Sequence, residues 1–267
     1  MIGAGARSTP LHAEHANAAL VNEKLRSRWE TFACTVLDRS RQTALIALQG
    51  PRSEQLLQSV CSAPLTPLRH YALTTAEVAG IPAAVARTGY TGEDGFELFI
   101  DVESAAALWQ ALLSLEDAVQ PVGLGARNTL RLEAGMPLYG HELDCSTTPY
   151  DAGLGRVVKL DKPDFVGAGA LREASIAPAT RTLVGLRVTG RGIARHGQAV
   201  FGHDGDEQPS GSVTSGTVSP SLGVPIAMAY LAPRHADAGR ELWVDVRGRR
   251  VAAEVVALPF YRREPAS

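Results

Sequence analysis

The sequence predicts an α+β protein: a split βαβ, ferredoxin-like unit with an added strand, followed by a domain of short antiparallel strands. Three observations lead there. Up to residue 175, apolar stretches of strand period and helix period alternate in the order β-α-β-β-β-α. Beyond it, short apolar runs separated by Gly and Pro clusters have the spacing of an antiparallel barrel or sandwich. The chain has 267 residues, 45% hydrophobic and 20% charged, which is enough for two cores.

Taken in order, "AEHANAALVNEKLRSRWETF" reads as an amphipathic helix with Ala19, Leu20, Leu25 and Trp29 on one broad face. "TALIALQG" is a buried strand ending at Gly50. "PRSEQLLQSV" is a helix with Pro51 at its first position and Leu56, Leu57 and Val60 inward. "YALTTAEVAG" and "IPAAVARTG" form a hairpin around Gly80, "GFELFI" a further strand, and "SAAALWQALLSL" a helix that Ser104 can cap. The small, proline-bearing "IAPAT", residues 176–180, is the best boundary. After it, "TLVGLRV", "GSVTSG", "IAMAYL", "ELWVDVRG" and "RVAAEVVALPF" are the expected strands.

Charge and cysteine usage exclude several classes. A net charge of -2 gives no field that argues for nucleic acid or an anionic membrane. Arg247, Arg249, Arg250, Arg262 and Arg263 nevertheless gather positive charge near the C-terminus, which suits an acidic partner or a solvated basic edge. Cys34, Cys61 and Cys145 are widely spaced and odd in number, so neither a disulfide framework nor a zinc site is indicated, and a reducing compartment is the natural reading. His141 and Cys145 are four apart and could share a helical face, but two ligands do not make a metal site, and none is expected. No apolar run reaches membrane-spanning length, and "MIGAGARSTPLHAEH" has no hydrophobic core for a signal peptide.

Two segments carry candidate chemistry. "ARTGYTGEDGFELFI", residues 86–100, packs Gly89, Gly92 and Gly95 with Glu93, Asp94 and Glu97 between apolar arms. A turn explains Gly92 and Gly95 through positive φ, and Asp94 reads as a turn residue bonding to backbone. Glu97 is different. Strand alternation puts Phe96, Leu98 and Ile100 on one face and Glu97 with Phe99 on the other, where a carboxylate is either solvated or receiving hydrogen bonds. "PVGLGARNTLRLEAGMPLYGHEL", residues 121–143, enters a short helix through glycines, with Arg127 and Arg131 on one face. By pattern alone it is a surface helix in which Glu133 and the arginines balance one another. The Pro and Gly around Leu138 and Tyr139 suggest a shaped loop.

These segments, together with "TTPYDAGLGRVVKLDKPDFVGAGAL", "VTSGTVSPSLGVPIAMAYL" and "VVALPFYRR", resemble the aminomethyltransferase, or T-protein, family of the glycine cleavage system, over about residues 15–263. The resemblance implies a folate-binding domain over 41–175, a C-terminal antiparallel β-barrel domain over 176–267, and in residues 1–40 a remnant of an N-terminal domain. It implies transfer of an aminomethyl group from the lipoyl arm of H-protein to tetrahydrofolate, a co-substrate, giving 5,10-methylenetetrahydrofolate and ammonia. A truncated, non-catalytic folate-binding paralogue is the alternative. The family's pterin-binding glutamate corresponds to Glu97 and its folate-binding arginine to Arg127. A carboxylate can accept both N–H groups on the edge of a reduced pterin, and a guanidinium supplies planar, permanently charged donors. Tyr90 and Tyr139 are candidates to pack on the ligand, or for ordinary core or hinge packing. Asn128 stands where the family usually has aspartate. The family's N-terminal region, with its catalytic aspartate, has no counterpart in residues 1–13, so no catalytic residue is assigned. A monomer is implied for the complete form, in bacterial cytoplasm or the mitochondrial matrix of a eukaryote.

Overall fold

A computed structural model describes residues 35–115 and 119–263, with Glu23 and Ser27. The amphipathic helix expected before residue 34 lies outside the described residues, except that Glu23 and Ser27 are both helical.

The first unit is a four-stranded antiparallel sheet in the order β1-β4-β3-β2, made by β1 (Thr43–Gln49), β2 (Leu73–Val78), β3 (Ile81–Ala86) and β4 (Gly95–Asp101). β1 and β2 are consecutive in the chain, yet β4 and β3 lie between them, which is the split arrangement. Helices α1 (Ser53–Gln58) and α2 (Ala105–Leu113) cover one face. On that face Ile46, Leu48, Val85, Phe96, Leu98 and Ile100 meet Leu56, Leu57, Leu108 and Leu112 in a single core. Alternation then sends Leu45, Glu97, Phe99 and Ala84 to the other face. α1 begins at Ser53, two residues later than Pro51 suggested. Ser104 makes no capping bond, because Asp101 caps a preceding turn through the Glu103 amide.

The second unit is a closed six-stranded barrel, not a sandwich, in the order β10-β5-β8-β7-β6-β9. Its strands are β5 (Thr182–Val188), β6 (Ala199–Phe201), β7 (Gly211–Val218), β8 (Pro225–Leu231), β9 (Glu241–Val246) and β10 (Arg249–Val256). Val184, Leu186, Val200, Val213, Ala227, Ala229, Leu231, Leu242, Val244, Ala253 and Val255 are among the residues filling it. β8 reads as an unbroken apolar run because its other face is covered as well. Ile226 and Met228 point outward onto Leu132 of α3 (Leu124–Glu133). Helix α4 (Ala168–Ile176) leads towards the barrel. β7 carries a bulge between Val213 and Ser215, an extra residue that re-aims side chains.

Candidate functional site

Glu97 sits mid-strand in β4, opposite Ala47 of β1 and Ala86 of β3, half-buried on the sheet face away from the core. Its Oε2 accepts the Thr88 hydroxyl at 2.5 Å, so the carboxylate is neither merely solvated nor paired with a cation in any described contact. The same face runs on into an open depression of about 640 Å³ lined by Thr43, Thr75, Ala84, Phe99 and Asp101 among others.

The turn before Glu97 is organised by Gln49 at the end of β1. Its Nε2 donates to the Thr88 carbonyl at 3.0 Å and lies 3.4 Å from the Phe96 carbonyl, and its Oε1 accepts the Thr91 hydroxyl at 3.2 Å. Gly92 takes the positive φ of 78° that the turn requires. Gly95 does not: it begins β4, and a Cβ there would fall 2.4 Å from the Gln49 carboxamide. Its glycine is thus required by close approach and not by turn geometry.

Asp94 is an ion-pair partner, beyond the role of a turn residue. Arg87 donates from Nε to Oδ1 at 3.0 Å and from Nη2 to Oδ2 at 2.5 Å, while Arg87 Nη2 also reaches Glu54 at 2.5 Å and Arg263 stands 3.8 Å from Asp94. Burial pushes the Asp94 carboxyl upward, but the hydrogen bonds and charge of Arg87, with the Gly95 amide and Arg263, outweigh it and leave the group below the ordinary carboxylate value. Two of the C-terminal arginines are engaged in different places. Arg263 turns onto the first unit, whereas Arg250 stacks 3.1 Å from the Phe201 ring centroid and donates to the Asp206 carbonyl on the barrel.

Tyr90 and Arg127 are brought together. The Arg127 guanidinium lies 4.9 Å from the Tyr90 ring centroid, and the Tyr90 hydroxyl donates to the Pro137 carbonyl. Arg127 is exposed on the first turns of α3. Tyr139, two residues beyond Pro137, is 40% exposed and pairs with Leu143, its hydroxyl 3.7 Å from Cys145 Sγ; the thiol raises the phenol's pKa. Thr88 therefore links Glu97 to the turn that bears Tyr90, and Tyr90 links that turn to Arg127 and Pro137. Tyr139 stands apart in the following loop.

The two remaining charges of α3 depart from the surface-helix expectation. Arg131 has no solvent exposure and spends its donors on Asn128 Oδ1, the Met136 carbonyl, Glu142 Oε2 at 2.8 Å and Ser215 Oγ at 2.7 Å. Glu133, 1% exposed, pairs with neither arginine; it accepts from the Ser219 hydroxyl and from Ser221 Oγ at 2.8 Å and N at 3.1 Å. His141 and Cys145 occupy turn and loop, not a helix. Nδ1 of His141 and of His196 lie 2.9 and 2.8 Å from one acceptor, the Thr214 carbonyl at the bulge, so each carries its proton on Nδ1. Among the described residues no three His, Cys, Asp or Glu side chains are grouped to hold a metal, and no helix is long and apolar enough to cross a membrane.

Residues 8–162 match the GCVT N-terminal domain family, and residues 181–262 match the glycine cleavage T-protein C-terminal barrel domain. The aminomethyltransferases of Saccharopolyspora erythraea and Streptomyces coelicolor are each 52% identical to the chain, over 254 and 259 residues. The chain belongs to the glycine cleavage T-protein family. Each of those two matches covers 94% of this T-protein-family chain and 69% of the relative. The crystal structure of glycine cleavage system aminomethyltransferase T from Bartonella henselae aligns with a TM-score of 0.84 at 35% identity, covering 92% of this chain and 66% of that one. Members of this T-protein family are named as aminomethyltransferases, a class of transferase enzyme.

The position of Glu97 was legible through strand alternation. Thr88 and Gln49 were not singled out, although the signal was present: two glycines, Gly89 and Gly95, flank a polar turn that needs positive φ only at Gly92.

Proposed function

We propose that this chain is a tetrahydrofolate-dependent aminomethyltransferase of glycine cleavage, taking the aminomethyl group from the lipoyl arm of H-protein and forming 5,10-methylenetetrahydrofolate and ammonia. The observation that carries the reading is the setting of Glu97. A carboxylate on an open sheet face, with one oxygen engaged by Thr88, keeps lone pairs in one plane for a ligand edge that offers two N–H donors. A reduced pterin has such an edge. Arg127, exposed and steadied over the Tyr90 ring, offers planar donors to polar or anionic groups of the same ligand. Tyr90 acts here by orienting Arg127, and Tyr139, apart from that group in the following loop, is left without a ligand contact. When bound, tetrahydrofolate supplies the amine nucleophile that accepts the one-carbon unit; the residues named here bind and orient it, and orientation alone accounts for much of the acceleration in such transfers. In this reading 41–175 is the folate-binding domain, 176–267 the barrel domain, and the location is the bacterial cytoplasm, in keeping with the bacterial relatives.

Calorimetric titration of tetrahydrofolate into wild type and Glu97→Gln tests it. Glutamine keeps the size but puts a donor against a donor, which costs about 1 to 3 kcal/mol of binding. Equal affinities would overturn the assignment. Methylenetetrahydrofolate formation from aminomethyl-loaded H-protein tests the transfer itself, and tight binding without product would favour the non-catalytic folate-binding reading.

A further inference from the structure

We infer that Gln49 and Thr88 are positioning residues that lock the Glu97 carboxylate in its ligand-accepting orientation, an inference that rests on the reading of Glu97 above. A glutamate on a half-buried strand face has freely rotating terminal torsions, and a bidentate contact uses only one of their settings. The Thr88 hydroxyl selects that setting by spending its single proton on Oε2 at 2.5 Å, from a β-branched side chain that is itself stiff. Thr88, however, lies beyond the end of β3, outside the ladder that would hold its backbone.

The Gln49 carboxamide replaces that ladder. One side chain reaches the carbonyl of Thr88 on the strand leaving the sheet, the carbonyl of Phe96 on the strand entering it, and the hydroxyl of Thr91 near the tip. Both flanks are built for it. A Cβ at Gly89 would fall 1.8 Å from Gln49 Oε1, and one at Gly95 2.4 Å from its Cδ and Nε2, while neither glycine has the left-handed φ that would otherwise call for glycine. The chain thus leaves room for a carboxamide that both donates and accepts. A carboxylate of the same size would face two carbonyl oxygens with acceptors only.

The test is tetrahydrofolate titration of Thr88→Val, Thr88→Ser and Gln49→Glu, each alone and combined with Glu97→Gln, with thermal unfolding of every variant. Thr88→Val should weaken binding about tenfold, as expected for one hydrogen bond to a charged group. Thr88→Ser, which keeps the hydroxyl, should stay within about twofold of wild type. In the Glu97→Gln background the Thr88→Val loss should vanish, because it acts through the carboxylate; a purely structural effect would persist there. Gln49→Glu should lose at least as much as Thr88→Val, and if it fails to fold the Thr88 variants decide. Glu97→Gln binding like wild type would overturn the underlying reading. A weakened Glu97→Gln alongside unaltered Thr88→Val, or full additivity of the two, would overturn this inference alone.

Discussion

A guanidinium without solvent exposure must find every acceptor inside the protein, and Arg131 places all of its N–H groups on Asn128, Met136, Glu142 and Ser215. Asn128 fits that arrangement: its amide oxygen takes two of the bonds without adding a second negative charge beside Glu142. Replacing Arg131 with leucine strands the Glu142 carboxylate, so chemical denaturation should show a loss of about 3 to 5 kcal/mol. Adding Glu142→Leu should restore part of it, since the unpaired charge is then gone. Asp94 gives the complementary case at the surface. Its folded-state pKa is held below the unfolded value of 3.8, so the stabilisation is present above that value and is lost as pH falls through the folded pKa. Acid unfolding followed by circular dichroism should therefore begin at higher pH in Arg87→Met than in wild type, and Asp94→Asn should flatten the dependence in that range.

At the scale of elements, strand period and turn chemistry made most of the fold legible. The hairpin at Gly80 closes through Ala79 and Gly80, both at positive φ (51° and 77°), between the paired residues Val78 and Ile81. Only the glycine adopts this conformation at no cost. Ala79→Asn should raise stability by about 1 kcal/mol, read from the thermal midpoint, because asparagine tolerates the left-handed region far better than alanine. "TLVGLRV" became β5 residue for residue, since alternation and flanking turns agree there. β6 escaped notice because three residues are too short to show a period. In the candidate site the position of Glu97 followed from alternation, whereas its partner Thr88, the buried Arg131 and the serine partners of Glu133 depend on contacts across long stretches of chain. No local pattern distinguishes an arginine whose partner is a neighbouring surface acid from one whose partner is a distant serine.

Across the whole molecule, α3 seats on the outside of the barrel while its Arg127 reaches Tyr90 in the turn before β4. Leu132 packs with Ile226 and Met228, Glu133 is held by Ser219 and Ser221, and the Tyr261 amide returns to the Glu133 carbonyl. Leu132→Ala should cost about 2 to 5 kcal/mol. It should also separate the unfolding of the sheet and the barrel, seen as transitions that no longer coincide when followed by two probes. The order in which a ribosome delivers these pieces has a consequence of its own. Arg131 and Glu133 emerge 84 and 86 residues ahead of Ser215 and Ser219. At about 5 to 20 residues per second, that is an interval of roughly 4 to 17 s. Throughout it, the nascent first half carries a helix whose inward charges have no barrel to receive them. The helix end can be completed only once translation has passed β7, which makes this interval the period when a holding chaperone has most to shield.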